Sequence, residues 1–294
     1  MCPTHHDSAL PAHGSRLSGG HVHLGRRTLT LGGLAVLAGL GAAPAAAAEP
    51  TTVPVDTVGP HPIQDRPLAA ADVRGFAGGH LFWPADATAG ADLGIVVTFP
   101  GFAEPGAVMH GIARRFASHG FAVLCGNSFA GVENPTVRAT MIRAAVDAAP
   151  GLSAWSDVVD GDRVALVGHS MGGGGALIAA ESLDVRAVIG VHPWTQTPIT
   201  GVTAPTLIVA GGIDQIAPAA EHAVPIYRGL TSVADRGLFT HHLGTHWAGV
   251  TPDRAILPRM TAFLRLFLDG DEAYRSAYLA PAPALTSFET TTRG

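Results

Sequence analysis

The sequence of 294 residues contains no lysine, so all 18 of its basic residues are arginine. Charged residues make up only 14% of the chain, the net charge is −5, and no stretch is strongly basic. A chain without basic runs lacks the positive surface that attracts nucleic acids and anionic membranes. We therefore expect neither as a partner. The hydrophobic fraction of 47% also excludes a disordered chain, and the length allows one large domain or two small ones.

Cysteine is almost absent as well, with only Cys2 and Cys125 in the whole chain. Cys2 lies in the leader described below, so the mature protein would keep one cysteine and could form no internal disulfide. Cys125 ends the apolar run of residues 121–124. This position predicts a buried, unreactive thiol rather than a nucleophile.

The first 48 residues differ from the rest in charge and pattern. They carry a net charge of +2, whereas residues 49–294 carry −7. Arg26 and Arg27 precede 21 uncharged residues that end in Ala46-Ala47-Ala48, a small-residue cleavage signal. The paired arginines favour twin-arginine export over an ordinary secretory signal, and the glycines of the segment argue against a retained membrane anchor. We expect a cleaved export signal over residues 1–48 and a secreted mature protein.

The remainder of the chain alternates between strand and helix patterns. Residues 49–75 are rich in proline and threonine and are expected to lie along the surface. Apolar, β-branched runs typical of buried parallel strands cover residues 81–83, 93–99, 121–125, 163–167, 185–191, 206–210 and 238–242. Helix patterns cover residues 108–119, 137–148, 171–183, 218–227 and 255–268. This alternation predicts a single α/β domain with a mostly parallel sheet flanked by helices.

A serine stands where a predicted strand turns into a helix. The strand of residues 164–167 leads into Gly168-His169-Ser170-Met171-Gly172, and a helix of small residues follows. The pattern Gly-x-Ser-x-Gly in this context is typical of a nucleophile in a strained turn, because larger side chains at the two glycines would collide with the neighbouring strand and helix. Free amides at the helix N-terminus can also bind a developing oxyanion. We interpret Ser170 as a catalytic nucleophile rather than part of a simple glycine-rich turn.

Functional groups of open α/β sheets gather beyond the carboxyl ends of the strands, and this rule selects an acid and a base. Asp214 follows the predicted strand of residues 206–210, and His246 follows that of residues 238–242. The order Ser170, Asp214, His246 is that of nucleophile, acid and base in α/β-hydrolases. The alternative for Asp214 is a helix cap. Four other aspartates precede strands and are expected at the opposite edge: Asp157, Asp160, Asp162 and Asp184.

Three further histidines compete with His246. His241 and His242 lie within the predicted strand itself, where neighbouring side chains face opposite ways. His192 ends another strand, and we expect it to line the wall of the pocket. His241, His242 and His246 together suggest a zinc site, but a glycine and the strand pattern argue against a helix that would align them. We expect neither a metal nor a cofactor.

The walls of the site are predicted from the same topology. The loop after the strand of residues 93–99 reaches Phe102, whose backbone amide is the candidate oxyanion donor beside that of Met171. Their side chains would form part of the acyl pocket. Trp194 follows another strand end and is expected to give an aromatic wall, with core packing as the alternative. Ile216 is expected to add an apolar floor.

These residues together resemble the bacterial cutinases and poly(ethylene terephthalate) hydrolases. The similarity runs through most of residues 75–270 and is carried by matching blocks in the same order: Pro100–Phe102, Ala117–Phe121, Gly168–Gly175, Pro193-Trp194, Pro205–Ile208, Asp214 with Ile216-Ala217, and Thr245-His246. The resemblance implies an α/β-hydrolase catalytic domain over residues 49–294 that acts on polyesters as a monomeric serine esterase with an open, shallow site. By the same resemblance Ser170, Asp214 and His246 form the triad, Phe102 and Met171 the oxyanion hole, and Trp194 the aromatic platform for the substrate.

Two loops depart from the pattern of that family. Ala103–Ala107 replaces a loop similar to Thr-Gly-Thr-Gln, and Thr195–Pro198 stands where the family tends to have a histidine and a second tryptophan. The usual C-terminal disulfide is missing, and Glu104 is expected at the mouth of the site, where it would repel acidic products. The subsites that grip a polymer are therefore altered. An exported esterase or lipase for short-chain acyl esters is the alternative function, and a catalytically silent binding protein of the same fold is a third.

Overall fold

The computed structural model describes residues 52–251 and 253–294 of the chain. The predicted export signal of residues 1–48 lies outside them. No helix in the described part is both long enough and apolar enough to cross a membrane. The residues that the structure describes belong to one compact unit, in agreement with the single domain expected from the sequence.

Nine strands of the described residues form one sheet. They are β1 (Ile63–Leu68), β2 (Gly79–Pro84), β3 (Leu93–Phe99), β4 (Ala122–Gly126), β5 (Val159–His169), β6 (Ala187–Val191), β7 (Thr206–Gly211), β8 (Arg236–His241) and β9 (Thr286–Thr290). Their spatial order is β1-β2-β4-β3-β5-β6-β7-β8-β9. The six strands from β4 and β3 to β8 are parallel, whereas the pairs β1–β2, β2–β4 and β8–β9 are antiparallel. The predicted α/β fold with a mostly parallel sheet is confirmed.

Helices cover both faces of this sheet. They are α1 (His110–Ser118), α2 (Pro135–Ala148), α3 (Met171–Ala180), α4 (Ala223–Gly229), α5 (Ile256–Phe267) and α6 (Arg275–Tyr278). Ile95 and Val97 of β3 pack in one apolar core with α2, α3 and α4, whereas Val96 between them packs in a second core with α1, α5 and α6. Because successive side chains of a strand face opposite sides and both sides are buried, the central strands are apolar throughout.

The structure departs from the expectations mainly at the edges of the sheet. Residues 49–75 are not only a surface segment, since they contain β1, and the sequence does not predict β9. Most residues of these two edge strands are at least partly exposed, so neither strand shows the apolar run that reveals a buried one. The helix α4 begins at Ala223 rather than at residue 218, and β8 ends at His241, so His242 lies beyond the strand.

Candidate active site

Ser170 occupies a strained turn between β5 and α3. Its backbone has φ 53° and ψ −121°, which is unusual for a residue with a side chain. The chain can follow this path because glycine stands two positions away on either side. A Cβ at Gly168 would lie 2.1 Å from the carbonyl oxygen of Gly172, and a Cβ at Gly172 would lie 2.3 Å from that of Phe99. The sequence pattern at this turn is therefore a steric requirement.

Asp214 and His246 meet at the carboxyl edge of the sheet, in the loops after β7 and β8. Nδ1 of His246 donates to Oδ2 of Asp214 over 2.8 Å, and both side chains are buried. The other carboxylate oxygen, Oδ1, accepts from the backbone amides of Ile216 and Ala217 at 2.9 and 2.8 Å. Asp214 therefore holds the imidazole and also fixes its own loop, but it is not the helix cap considered as the alternative, because α4 begins only at Ala223.

The hydrogen bonds around Asp214 keep it ionised. Burial by itself would raise the pKa of this carboxyl. Hydrogen bonds from His192, His246 and the amides of Ala217 and Ile216 outweigh burial and hold the pKa well below its ordinary value. The carboxylate can thus orient the imidazole of His246, leave Nε2 as its basic nitrogen and stabilise the imidazolium that forms when Nε2 takes a proton.

His192 does not line the pocket, and that expectation is wrong. It is 1% exposed, and its ring nitrogens lie 3.1 Å from Oδ2 of Asp214 and 2.6 Å from the carbonyl oxygen of Ala248. Burial lowers the pKa of His192, while the hydrogen bond to Asp214 opposes that effect. His192 therefore braces the carboxylate from behind, on the same oxygen atom that His246 uses.

The two candidate oxyanion donors stand beside Ser170. Met171 is the first residue of α3, and Phe102 follows β3 in the adjacent loop. Among the described residues neither backbone amide donates to a backbone oxygen. Gly101 brings this loop close to the serine, since a Cβ at Gly101 would lie 2.7 Å from Cβ of Ser170. Two unpaired amides next to a strained serine are suited to bind an oxyanion.

The sequence predicts Glu104 at the mouth of the site, but the structure places this side chain beneath the site. The residue is 8% exposed, and Oε2 contacts the amide nitrogen of Gly101 at 2.5 Å and Nδ1 of His169 at 2.9 Å. A carboxylate held by these internal donors cannot repel acidic products from the surface. The chain turns directly before Glu104, at Ala103, where φ is 55°.

The substrate side of the site is an open groove of about 410 Å³. It is lined by Ile213, Gln215, Ile216, Thr245, His246 and Trp247. Ile216 is 55% exposed and forms the rim of this groove rather than its floor. Trp247 is not among the residues predicted from the sequence, although its position directly after the candidate base is the signal that could have revealed it.

Trp194 lies close to the serine on another side. Its backbone amide donates to the carbonyl oxygen of Ser170 over 2.9 Å, and its ring packs on that of His222 with centroids 5.6 Å apart. The altered loop of residues 195–198 lines a neighbouring cavity of about 560 Å³. Trp194 is half-buried, so one part of the indole packs in the protein while another part remains available to a ligand.

The remaining candidates lie away from this centre. His241 approaches Asp253 at 4.0 Å. Asp160 and Asp162 lie within β5 rather than before it, at its amino end and so at the edge away from Ser170. Cys125 is buried as predicted, and burial raises the pKa of its thiol to about 12.

The residues that could share a metal ion in the described part of the chain are His192, Asp214 and His246, whose donor atoms lie within 4.8 Å of one another. The same atoms already form the hydrogen bonds of the acid and base.

The sequence of this chain is similar to those of known ester hydrolases. A family model described as PET hydrolase-like matches residues 41–293, which span every strand and every site residue above. The chain is 34% identical over 227 residues to a bis(hydroxyethyl) terephthalate hydrolase of Streptomyces coelicolor, covering 76% of this chain and 73% of that protein. It is 33% identical over 254 residues to a cutinase of Thermobifida fusca (82% and 83% covered) and 32% identical over 229 residues to cutinase 1 of Thermobifida cellulosilytica (76% and 86%).

Proposed function

The chain belongs to the PET hydrolase-like family of carboxylic-ester hydrolases with the α/β-hydrolase fold, and from this membership we propose that it cleaves polyesters through an acyl-enzyme on Ser170. The observation that carries the chemistry is the buried Asp214–His246 hydrogen bond of 2.8 Å, at the same sheet edge as a serine in a strained turn. A nucleophile, a base and an orienting acid are the three groups that this reaction needs.

The reaction follows from these positions. Nε2 of His246 removes the proton of Ser170 as its Oγ attacks the ester carbonyl, and the amides of Phe102 and Met171 stabilise the tetrahedral oxyanion. His246 then protonates the departing alcohol, which leaves an acyl group on Ser170. Water, activated by the same imidazole, releases the acid and restores the serine. Asp214 holds the imidazole in one tautomer throughout.

The surface around the groove favours a polymer over a small ester. Nine of the ten large apolar side chains that are exposed in the described residues form what we call the apolar rim: Phe102, Phe129, Val132, Val137, Ile213, Ile216, Leu243, Trp247 and Leu285. They lie in the segments after β3, β4, β7 and β8, or directly before the antiparallel β9, so all are at the carboxyl edge. An exposed apolar surface around a site is suited to bind another apolar surface.

We further propose that the protein is exported and acts as a monomer outside the cell. The relatives named as cutinases and the arginine pair before an uncharged segment support export. N-terminal sequencing of the protein recovered from the medium should find a chain that begins near Glu49. A mature chain that keeps Arg26 and Arg27 would contradict the cleavage.

One experiment tests the activity and its substrate class together. Wild type and Ser170→Ala are incubated with p-nitrophenyl butyrate and with a film of an aromatic polyester, and a phosphonate that reacts with activated serines is added in parallel. We expect wild type to release product from both substrates, the phosphonate to label Ser170, and Ser170→Ala to lose at least about 10³-fold in kcat.

Each alternative function has its own outcome in this experiment. Hydrolysis of the butyrate ester without release from any film would support the short-chain esterase. Folded wild type without activity on any ester would support the silent binding protein. Substantial esterase activity in Ser170→Ala would show that the nucleophile is another residue.

A further inference from the structure

Glu104 and His169 form a second carboxylate–imidazole pair beneath Ser170 that the mechanism above does not use. His169 is the last residue of β5, immediately before the serine, and is fully buried, as Glu104 nearly is. Oε2 of Glu104 lies 2.9 Å from Nδ1 of His169. A buried carboxylate destabilises a protein unless donors compensate it, so its presence next to the site points to a role there.

Glu104 fixes the loop that carries one oxyanion donor. Its Oε2 accepts the amide of Gly101 at 2.5 Å, and the carbonyl oxygen of Pro100 accepts from Nη1 of Arg138 at 2.8 Å. These two polar groups belong to the same peptide bond, so two buried charged side chains hold it from both sides. The next peptide bond carries the amide of Phe102. The peptide bond after that is fixed as well, because the amide of Ala103 donates to the carbonyl oxygen of Gly131 over 2.7 Å, so the peptide that carries the oxyanion donor lies between two anchored ones.

His169 fixes the loop that carries the base. Its Nε2 donates to the backbone carbonyl oxygen of His246 over 2.8 Å, and its ring packs on the rings of His246 and Trp247 with centroids 4.8 and 5.5 Å away. Both ring nitrogens of His169 therefore face oxygen atoms. One of these oxygens belongs to the Glu104 side chain and the other to the backbone of His246, so the ring bridges the two loops.

We propose that Glu104 and His169 are positioning residues for ester hydrolysis. One hydrogen-bonded chain runs from the amide of Gly101 through Glu104 and His169 to the carbonyl oxygen of His246, and it sets the distance between the oxyanion donor and the base. Neither side chain touches the substrate. The inference rests on the proposed function, because it assumes that His246 is the base and that Phe102 donates to the oxyanion.

The test measures kcat and KM on p-nitrophenyl butyrate, with kcat expressed per serine that reacts with the phosphonate. We expect Glu104→Ala and His169→Phe each to lower kcat by about 10- to 100-fold, since displacements near 1 Å have effects of this size, and to leave KM within about threefold because groove contacts remain. Glu104→Gln keeps an oxygen for the amide of Gly101 but removes the carboxylate that His169 contacts. We expect it to retain the fold and to lie between wild type and Glu104→Ala.

A double variant tests whether the two residues act as one unit. If one chain of hydrogen bonds is involved, Glu104→Ala with His169→Phe is no slower than the slower single variant. If the two losses of kcat multiply in the double variant, the two residues do not act through one chain of hydrogen bonds, and that inference is wrong. Asp65→Ala is the matched control, since Oδ2 of Asp65 contacts Nε2 of His80 at 2.7 Å between β1 and β2. It should leave kcat within about twofold of wild type.

The outcomes separate this inference from the proposed function. Wild-type kcat per reactive serine in the Glu104 and His169 variants, with only a lower melting temperature, would show a merely structural pair and overturn the inference. Wild-type turnover by Ser170→Ala would overturn the proposed function and the inference with it. A drop in kcat without a matching rise in KM, in variants that still melt cooperatively, supports the positioning role.

Discussion

The two ends of the parallel strands arrange polar and apolar side chains in opposite ways. At the carboxyl edge, the apolar rim faces solvent while Asp214 and His246 are buried. At the amino edge, charged side chains lie nearer to the surface and pair with one another. Arg163 contacts Asp160 and Asp269, each at 2.8 Å.

This difference shows which forces shape each edge. The ion pairs of the amino edge are partly exposed, and partly exposed pairs contribute little to stability. The carboxyl edge places hydrogen-bonded charges in a dry environment, where electrostatic interactions are stronger, and leaves apolar surface outside. Solubility would favour the reverse arrangement, so the carboxyl edge reflects binding and chemistry.

The largest expected effect compares two buried histidines, one from each edge. His246→Ala should lower kcat at least about 10³-fold, because it removes the base, whereas His119→Gln, at the end of α1, should leave kcat within about twofold. The measurement is kcat on p-nitrophenyl butyrate for variants whose folding is checked by circular dichroism. Similar losses of kcat in the two variants would show that the difference between the two edges does not reflect catalysis.

A smaller effect is expected from the aromatic surface at the carboxyl edge. Trp194→Ala should reduce release from an aromatic polyester film by roughly tenfold and change hydrolysis of p-nitrophenyl acetate only a few-fold, because a polymer segment crosses the indole and a short acyl group does not. Val58→Ala is the control, since this exposed valine lies outside the apolar rim. Equal losses on both substrates would make Trp194 a structural residue.

The smallest effect on activity is expected for His119 at the amino edge, where a change of pH affects stability instead. Burial lowers the pKa of His119 to about 4 from an ordinary 6.5. Its Nε2 donates to the carbonyl oxygen of Thr57, and Nδ1 has no acceptor among the described residues. Between these two pKa values the unfolded chain binds a proton that the folded chain does not. The contribution of neutral His119 to the free energy of unfolding is therefore at its full value above about pH 6.5 and decreases as the pH falls towards 4.

Thermal unfolding of wild type and His119→Gln between pH 7 and pH 4.5 checks this sign. The melting temperature of wild type should fall by a few degrees more than that of the variant over this range, while kcat per folded molecule stays equal at pH 7. Parallel curves for the two proteins would contradict the assignment to His119.

The sequence was most informative where one physical rule dominates. The strands β3 to β8 were predicted to within a few residues, except that β5 begins four residues earlier than its apolar run, because strands buried on both faces must be apolar. Ser170 was recognisable because only glycine fits at residues 168 and 172 beside it. The edge strands β1 and β9 escaped prediction because water replaces the apolar neighbours that give a buried strand its pattern.

Errors in the site have a different origin. Glu104 was assigned from its place in the loop that departs from the family pattern, and His192 from its place at a strand end. Neither position tells whether a side chain points to solvent or inward. The contacts with His169 and Asp214 hold these side chains inside, and both join distant segments of the chain. Trp247 was overlooked because a single aromatic residue carries no periodic signal.

The sequence by itself determined the chain order of the strands β2 to β8 and of the helices α1 to α5, the glycine-flanked serine and the edge at which Asp214 and His246 would emerge, because local sterics and apolar periodicity act over a few residues. Only the tertiary structure decided which acceptor each buried histidine meets and that Glu104 turns inward to His169. Those outcomes depend on hydrogen bonds over 22 to 77 residues of chain, and such partners are chosen by the packed fold as a whole.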